Sequence, residues 1–164
     1  MNAAASGILP AVLTIAAFAV FAVVGVRLAA IDVREHRLPN RLVLPLYAVG
    51  LVPAAVALAA GEPTASLRAL LAAAALFAFY YVLHRAGGGM GAGDVKLAGA
   101  IGLFLGVLGW TETILGAVAG FVLGGLWSLA LVAARRAGRG TRIAFGPFML
   151  AGAWGAIAWS LLAS

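Results

Sequence analysis

Residues Ile8 to Val26 read ILPAVLTIAAFAVFAVVGV, nineteen residues with no charge and Thr14 as the one polar side chain. A membrane-spanning helix takes about 20 apolar residues. A secretory signal has a core of about 7–15 behind a basic start. Met1 to Gly7 carries no Lys or Arg, so the run predicts a retained first transmembrane helix. Working outward, five more apolar segments follow: Leu42–Ala60, Leu67–Leu83, Leu97–Trp110, Ile114–Ala134 and Gly146–Leu162, with the first extending to Ala30. The fourth is short, and its boundary with the fifth, at Thr111-Glu112-Thr113, is the weakest in the pattern. The expectation is an all-α polytopic bundle of about six transmembrane helices, one membrane-embedded domain over residues 1–164.

Composition agrees. The chain is 65% apolar and 10% charged, against about 45–50% and about 25% in soluble domains, and its mean hydropathy is +1.11. An ordinary soluble domain and a disordered chain are both excluded. There is no Cys, hence no disulfide, no thiolate nucleophile and no Cys-based zinc site. His36 and His84 are far apart in sequence, so no metal is expected, and no cofactor. The net charge of +6 points to membrane orientation, not to nucleic acid, because the cations lie in short segments between apolar runs.

Those cations alternate. Arg34, Arg37 and Arg41 lie between segments one and two, Arg85 and Lys96 between three and four, and Arg135, Arg136, Arg139 and Arg142 between five and six. Arg27 leans to the same side, whereas the opposite loops hold Arg68 alone. The positive-inside bias puts the three basic loops in the cytoplasm and both termini outside, which requires an even number of spans. Gly102 and Gly106, then Gly116, Gly120 and Gly124, recur every four residues and predict close helix packing, within one chain or between two.

Topology explains most charges but not the acids. Glu62 and Glu112 read as outer-turn residues and Glu35 as a loop charge. Asp32 and Asp94 remain, each against an apolar run and both at the same predicted face. An acid at the edge of a membrane helix is costly unless paired or hydrated, and is a functional candidate by default. Asp94 suits a helix start; Asp32 sits at a helix end, where negative charge is unfavourable. Two carboxyls in one site do not both ionise readily. The ionised one can act as general base on water, while the protonated one donates to a carbonyl oxygen and then serves the leaving amine. This is aspartyl peptide hydrolysis.

The stretch Gly87-Gly88-Gly89-Met90-Gly91-Ala92-Gly93 before Asp94 suits close backbone approach and a hinge. A phosphate loop fits poorly, since no strand precedes it and the Lys-Ser/Thr ending is missing. Lys96 lies two residues past Asp94; it either holds that carboxylate ionised or meets an acidic group of a substrate, or else it is a cytoplasmic anchor that snorkels. Pro39 and Asn40 are expected to start helix two, and His36 reads as a solvated loop residue. A small cation transporter using the same acids is a rival reading, although the outward halves carry little Thr or Ser.

Three patterns now stand in order: Asp32 followed after six residues by Pro39-Asn40; Gly91-Ala92-Gly93-Asp94-Val95-Lys96-Leu97; and Ile143-Ala144-Phe145-Gly146-Pro147-Phe148. Together they resemble the type IV prepilin peptidases, membrane aspartyl peptidases of the Gly-x-Gly-Asp type, across essentially the whole chain. The residue before Pro39 is often Ile in that family and is Leu38 here. The resemblance implies a catalytic pair of Asp32 and Asp94 at the cytoplasmic face of the cell membrane, supported by Gly91, Gly93, Lys96, Pro39 and Asn40. It implies a prepilin or pseudopilin precursor as substrate, cut between a short basic leader and a long apolar helix, for pilus or type II secretion assembly. Arg34 and Arg37 sit oddly for binding a basic leader and read as topology. Larger members carry an added Cys-containing cytoplasmic segment and methylate the new N-terminus with S-adenosylmethionine. This chain opens directly on a helix and lacks Cys, so the expectation stops at peptide cleavage. A presenilin-like protease cutting within a span shares the acid pair and stays a rival.

Overall fold

The computed structural model describes residues 3–87, 90–135 and 143–163, and all regular structure among them is helical. Six helices follow in order: α1 Ala3–Glu35, α2 Asn40–Ala59, α3 Pro63–Arg85, α4 Ala92–Leu108, α5 Trp110–Ala133 and α6 Gly146–Ala163. All but α4 are long and apolar enough to cross a membrane, as expected of a multi-pass membrane protein. Side chains such as Ile15, Val26, Leu129 and Leu162 point outward, leaving more exposed apolar surface than a soluble monomer carries.

Helix α4 is the exception that organises the rest. Its 17 residues rise about 25 Å, a little under the hydrocarbon thickness of about 30 Å. Twelve of them are buried by protein, with α2, α3, α5 and α6 packed around it. The glycine spacing explains how. A Cβ on Gly102 would sit 2.6 Å from Ala72 O and Ala73 N, and one on Gly106 would sit 2.7 Å from Ala69 Cα. Helix α3 can therefore lie directly on α4 only because those positions carry no side chain. Gly116, Gly120 and Gly152 make the corresponding α5–α6 approach, so these stripes serve packing within one chain. Phe21 of α1 stacks on Phe104 with centroids 4.3 Å apart and on Trp154 of α6 at 5.4 Å, closing the centre.

Three boundaries differ from the hydropathy pattern. Helix α4 starts five residues before Leu97, taking Asp94 into its first turn. Thr111-Glu112-Thr113 is not a turn but the first turn of α5, joined to α4 through Gly109 alone. Glu112 there is favoured by the helix dipole. Arg68, expected in an outer loop, lies inside α3 and closes the end of α4. Its guanidinium donates to Gly106 O at 2.7 Å, Val107 O at 2.9 Å and Leu108 O at 3.3 Å, the carbonyls a helix end leaves unsatisfied. At that same end Ser66 Oγ donates to Ala54 O at 2.6 Å, tying α3 to α2.

The opposite end gathers the end of α1, the start of α2, the end of α3 and the starts of α4 and α6, through the contacts described next. Arg34, Arg37, Arg41, Arg85, Lys96 and Arg135 lie at or near it, while Arg136, Arg139 and Arg142 fall outside the described residues.

Candidate active site

Asp32 and Asp94 are both buried, 4% and 7% exposed, and neither forms an ion pair with a described residue. The pair Arg37–Glu35, at 2.8 Å, is an exposed surface contact. Each carboxyl is held instead by one backbone N–H. Gly146 N–H donates to Asp32 Oδ2 at 2.9 Å across 114 residues of chain. Gly91 N–H donates to Asp94 Oδ2 at 2.9 Å.

The first of these bonds resolves the oddity of an acid at the end of α1. Asp32 lies at the unfavourable C-terminus of its own helix, but it is also at the N-terminus of α6, whose free N–H groups and positive dipole end favour a carboxylate. Pro147 follows in the first turn of α6, where its missing N–H is no loss. The second bond is half of a capping box: Asp94, third residue of α4, reaches back to the N–H of its N-cap Gly91.

The two half-sites meet through Leu38, in the extended link before α2. A Cβ on Gly93 would lie 2.8 Å from Leu38 Cβ, and a Cβ on Gly146 would lie 3.4 Å from Leu38 Cδ2 and 2.9 Å from Asp32 Oδ2. Leu38 is thus wedged between the starts of α4 and α6, in room made by two glycines. Gly93 is needed for this contact with its own chain. Asp32, His84 and Tyr80 all lie within electrostatic reach of Asp94. The second oxygen of each Asp has no hydrogen-bond partner among the described residues.

The supporting residues sort differently from expectation. Lys96 does not turn to Asp94; residues two apart on a helix point to different sides. Its ammonium donates to Asn40 Oδ1 at 2.9 Å, and its carbonyl accepts from Tyr47 Oη at 2.7 Å. Two motif positions thus bind each other, latching the start of α2 to the start of α4. Pro39 is the extended N-cap of α2, as its position predicts. Hydropathy alone missed Tyr47, Gly146 and His84, whose bonds run to or from backbone groups. Gly146 did appear in the third motif, but nothing in the string tied it to Asp32.

Beside Asp32 lies a cleft of about 320 Å³ between the end of α1 at Val33 and His36, the end of α5 at Trp127 and Leu131, and the start of α6 at Pro147 and Phe148. Its lining is mainly apolar.

The sequence pattern of the type IV leader peptidase family matches residues 18–129, a stretch that contains both acids. Similar curated proteins are prepilin leader peptidase/N-methyltransferases. The one from Xanthomonas campestris pv. campestris is 34% identical over 82% of this chain and 46% of its own length. That from Stutzerimonas stutzeri is 33% identical over 79% and 44%, and that from Pseudomonas aeruginosa 30% over 79% and 44%. The chain therefore spans about half the length of the curated relatives it matches. No solved structure matches it.

Proposed function

This chain belongs to the type IV leader peptidase family, and from that premise we propose that it is a membrane aspartyl endopeptidase that removes the short basic leader of a type IV prepilin or pseudopilin precursor. The observation that carries the proposal is the carboxyl pair: buried at one end of the bundle, in no ion pair with a described residue, each with one oxygen fixed by a backbone N–H.

The chemistry follows from that arrangement. In this reading the two groups work as one acid–base unit, one ionised and one protonated. The ionised carboxylate takes a proton from a water, whose oxygen bonds to the scissile carbonyl carbon. The protonated carboxyl gives its proton to the carbonyl oxygen as the tetrahedral intermediate forms. On collapse the C–N bond breaks, the amine leaves with the proton held by the base, and the acid is reprotonated from the new carboxylic group. Backbone N–H donors fix both carboxylates before substrate arrives, and no cation among the described residues is paired with either. The apolar cleft beside Asp32 suits the start of the hydrophobic helix that follows the leader. The charge bias supports an active end on the cytoplasmic side of the cell membrane. We confine the proposal to cleavage and make no claim for N-methylation.

Co-expression with prepilin-type precursors, read by the gel shift on leader loss and by sequencing the product N-terminus, tests this. Asp32→Asn and Asp94→Asn should each lower cleavage at least about 10³-fold while inserting normally. Retained cleavage in either variant refutes the pair. A product beginning inside the apolar helix would favour the presenilin-like alternative.

A further inference from the structure

We propose that His84 is a positioning residue for Asp94, acting through the single peptide group that joins Met90 to Gly91. The inference rests on the peptidase reading above. His84, in the last turn of α3, places Nδ1 2.7 Å from Met90 O. A carbonyl oxygen can only accept, so Nδ1 carries the hydrogen and donates. The N–H of that same peptide belongs to Gly91 and donates to Asp94 Oδ2. The bond is trans, so its C=O and N–H point to opposite sides. His84 and Asp94 grip one amide plane from both sides.

That plane needs a second anchor. Gly91 is exposed and carries no side chain to pack, and the chain turns before it at Gly87 with φ +80°. A peptide beside glycine can rotate about its flanking bonds at little cost. Left to itself it would swing its N–H away from Asp94; the imidazole on its carbonyl forbids this. A donor on the carbonyl also polarises the amide, so its N–H donates more strongly to the carboxylate. Among the described residues, the charged and titratable groups around Asp94 are few: His84 and Tyr80 from α3, and Asp32 from α1, with Lys96 on its own helix engaged by Asn40. His84 is the one of these that touches the peptide holding Asp94.

The test uses the full chain in lipid nanodiscs, with His84→Ala, His84→Asn and His84→Gln beside wild type. One readout is kcat and KM on a prepilin-type precursor across pH. The other, independent of cleavage, is the pH dependence of Asp94 modification by a water-soluble carbodiimide, to whose carbon the carboxyl oxygen adds as its proton passes to nitrogen, read by mass spectrometry. His84→Ala should lower kcat about tenfold with KM changed less than about twofold, the size of one lost hydrogen bond. It should also move the labelling midpoint and the acidic limb of the rate profile to higher pH, because the carboxylate loses support. Asn can present an N–H near the place of Nδ1 and should restore most of both; Gln, one bond longer, should restore less. An unchanged labelling midpoint in His84→Ala, or Asn performing no better than Ala, overturns the proposal. If His84→Ala does not insert, equal behaviour of Asn and Gln overturns it and a wild-type-like Asn with an impaired Gln supports it. A wild-type protein that cleaves no precursor would sink the peptidase reading, while the labelling series would still decide the role of His84.

Discussion

Replacing Gly146 by Ala adds one methyl group at the place where Asp32 is held. The new Cβ would stand 2.9 Å from Asp32 Oδ2, where ordinary contact begins near 3.4 Å, and 3.4 Å from Leu38 Cδ2. The carboxylate must therefore retreat by about 0.5 Å, a displacement at the tolerance of a working catalytic geometry. Leu38 already presses on the Gly93 side, so it gives little room. The retreat stretches the 2.9 Å bond from Gly146 N–H. A hydrogen bond to a charged group contributes about 1.5–3 kcal/mol. Losing most of it, with the misplacement, should lower kcat/KM by roughly 10- to 100-fold. The assay is precursor cleavage by purified protein in nanodiscs, with insertion and melting temperature measured on the same samples. Gly155→Ala is the internal control: it lies on the same helix, and a Cβ there meets nothing within 4 Å, so it should cleave at the wild-type rate. A Gly146→Ala protein as active as Gly155→Ala would refute the claim that Asp32 is positioned by the start of α6.

Two further outcomes separate structural from catalytic support. Arg68→Met removes three bonds to the end of α4 far from the acids; it should destabilise by about 2 kcal/mol and lower Tm by roughly 4–8 °C, with kcat within about twofold at temperatures where the protein is folded. Lys96→Ala breaks the exposed latch to Asn40 and should cost cleavage only about two- to fivefold, with no change in the pH profile, because its ammonium does not contact Asp94; a shifted profile would restore the ion-pair role that its sequence position suggested.

Hydropathy made the helices legible because a bilayer demands long uncharged runs, and Ile8–Val26 meets that demand without help from the rest of the chain. It failed at α4 and α5 because one glycine suffices to break a helix, and Glu112 at the start of α5 looks like a turn residue until its place at a helix N-terminus is known. The charge pattern assigned Arg68 to a loop, since a count of charges does not reveal a guanidinium folded back on three carbonyls. The acids were legible for the complementary reason: Asp32 and Asp94 are charges that membrane orientation leaves unexplained. Their holders were not. Backbone N–H groups leave no mark on a sequence, and the partner of Asp32 lies 114 residues away. Of the two readings the sequence left open for Lys96, the ion pair with Asp94 is not formed, because proximity in the chain is not proximity on a helix.

The arrangement of α4 accounts for how such a pair can be buried at all. An unpaired carboxyl in an apolar bundle would cost several kcal/mol, and a neutralising Arg or Lys would lock it in a salt bridge unsuited to passing a proton. Helix ends offer a third solution, since each carries unsatisfied N–H groups whether or not an anion is present. Asp32 uses the start of α6 and Asp94 the start of α4, so both are stabilised by groups that never titrate. That solution requires helix starts to converge on one spot, which in turn requires backbones to approach closely. Gly93 and Gly146 admit Leu38 between α4 and α6, Gly102 and Gly106 let α3 lie on α4, and Arg68 satisfies the far end of α4 so that the helix can stay short and enclosed. The glycine stripes and the acid pair thus answer one constraint: close packing is what brings the N–H donors to the carboxylates.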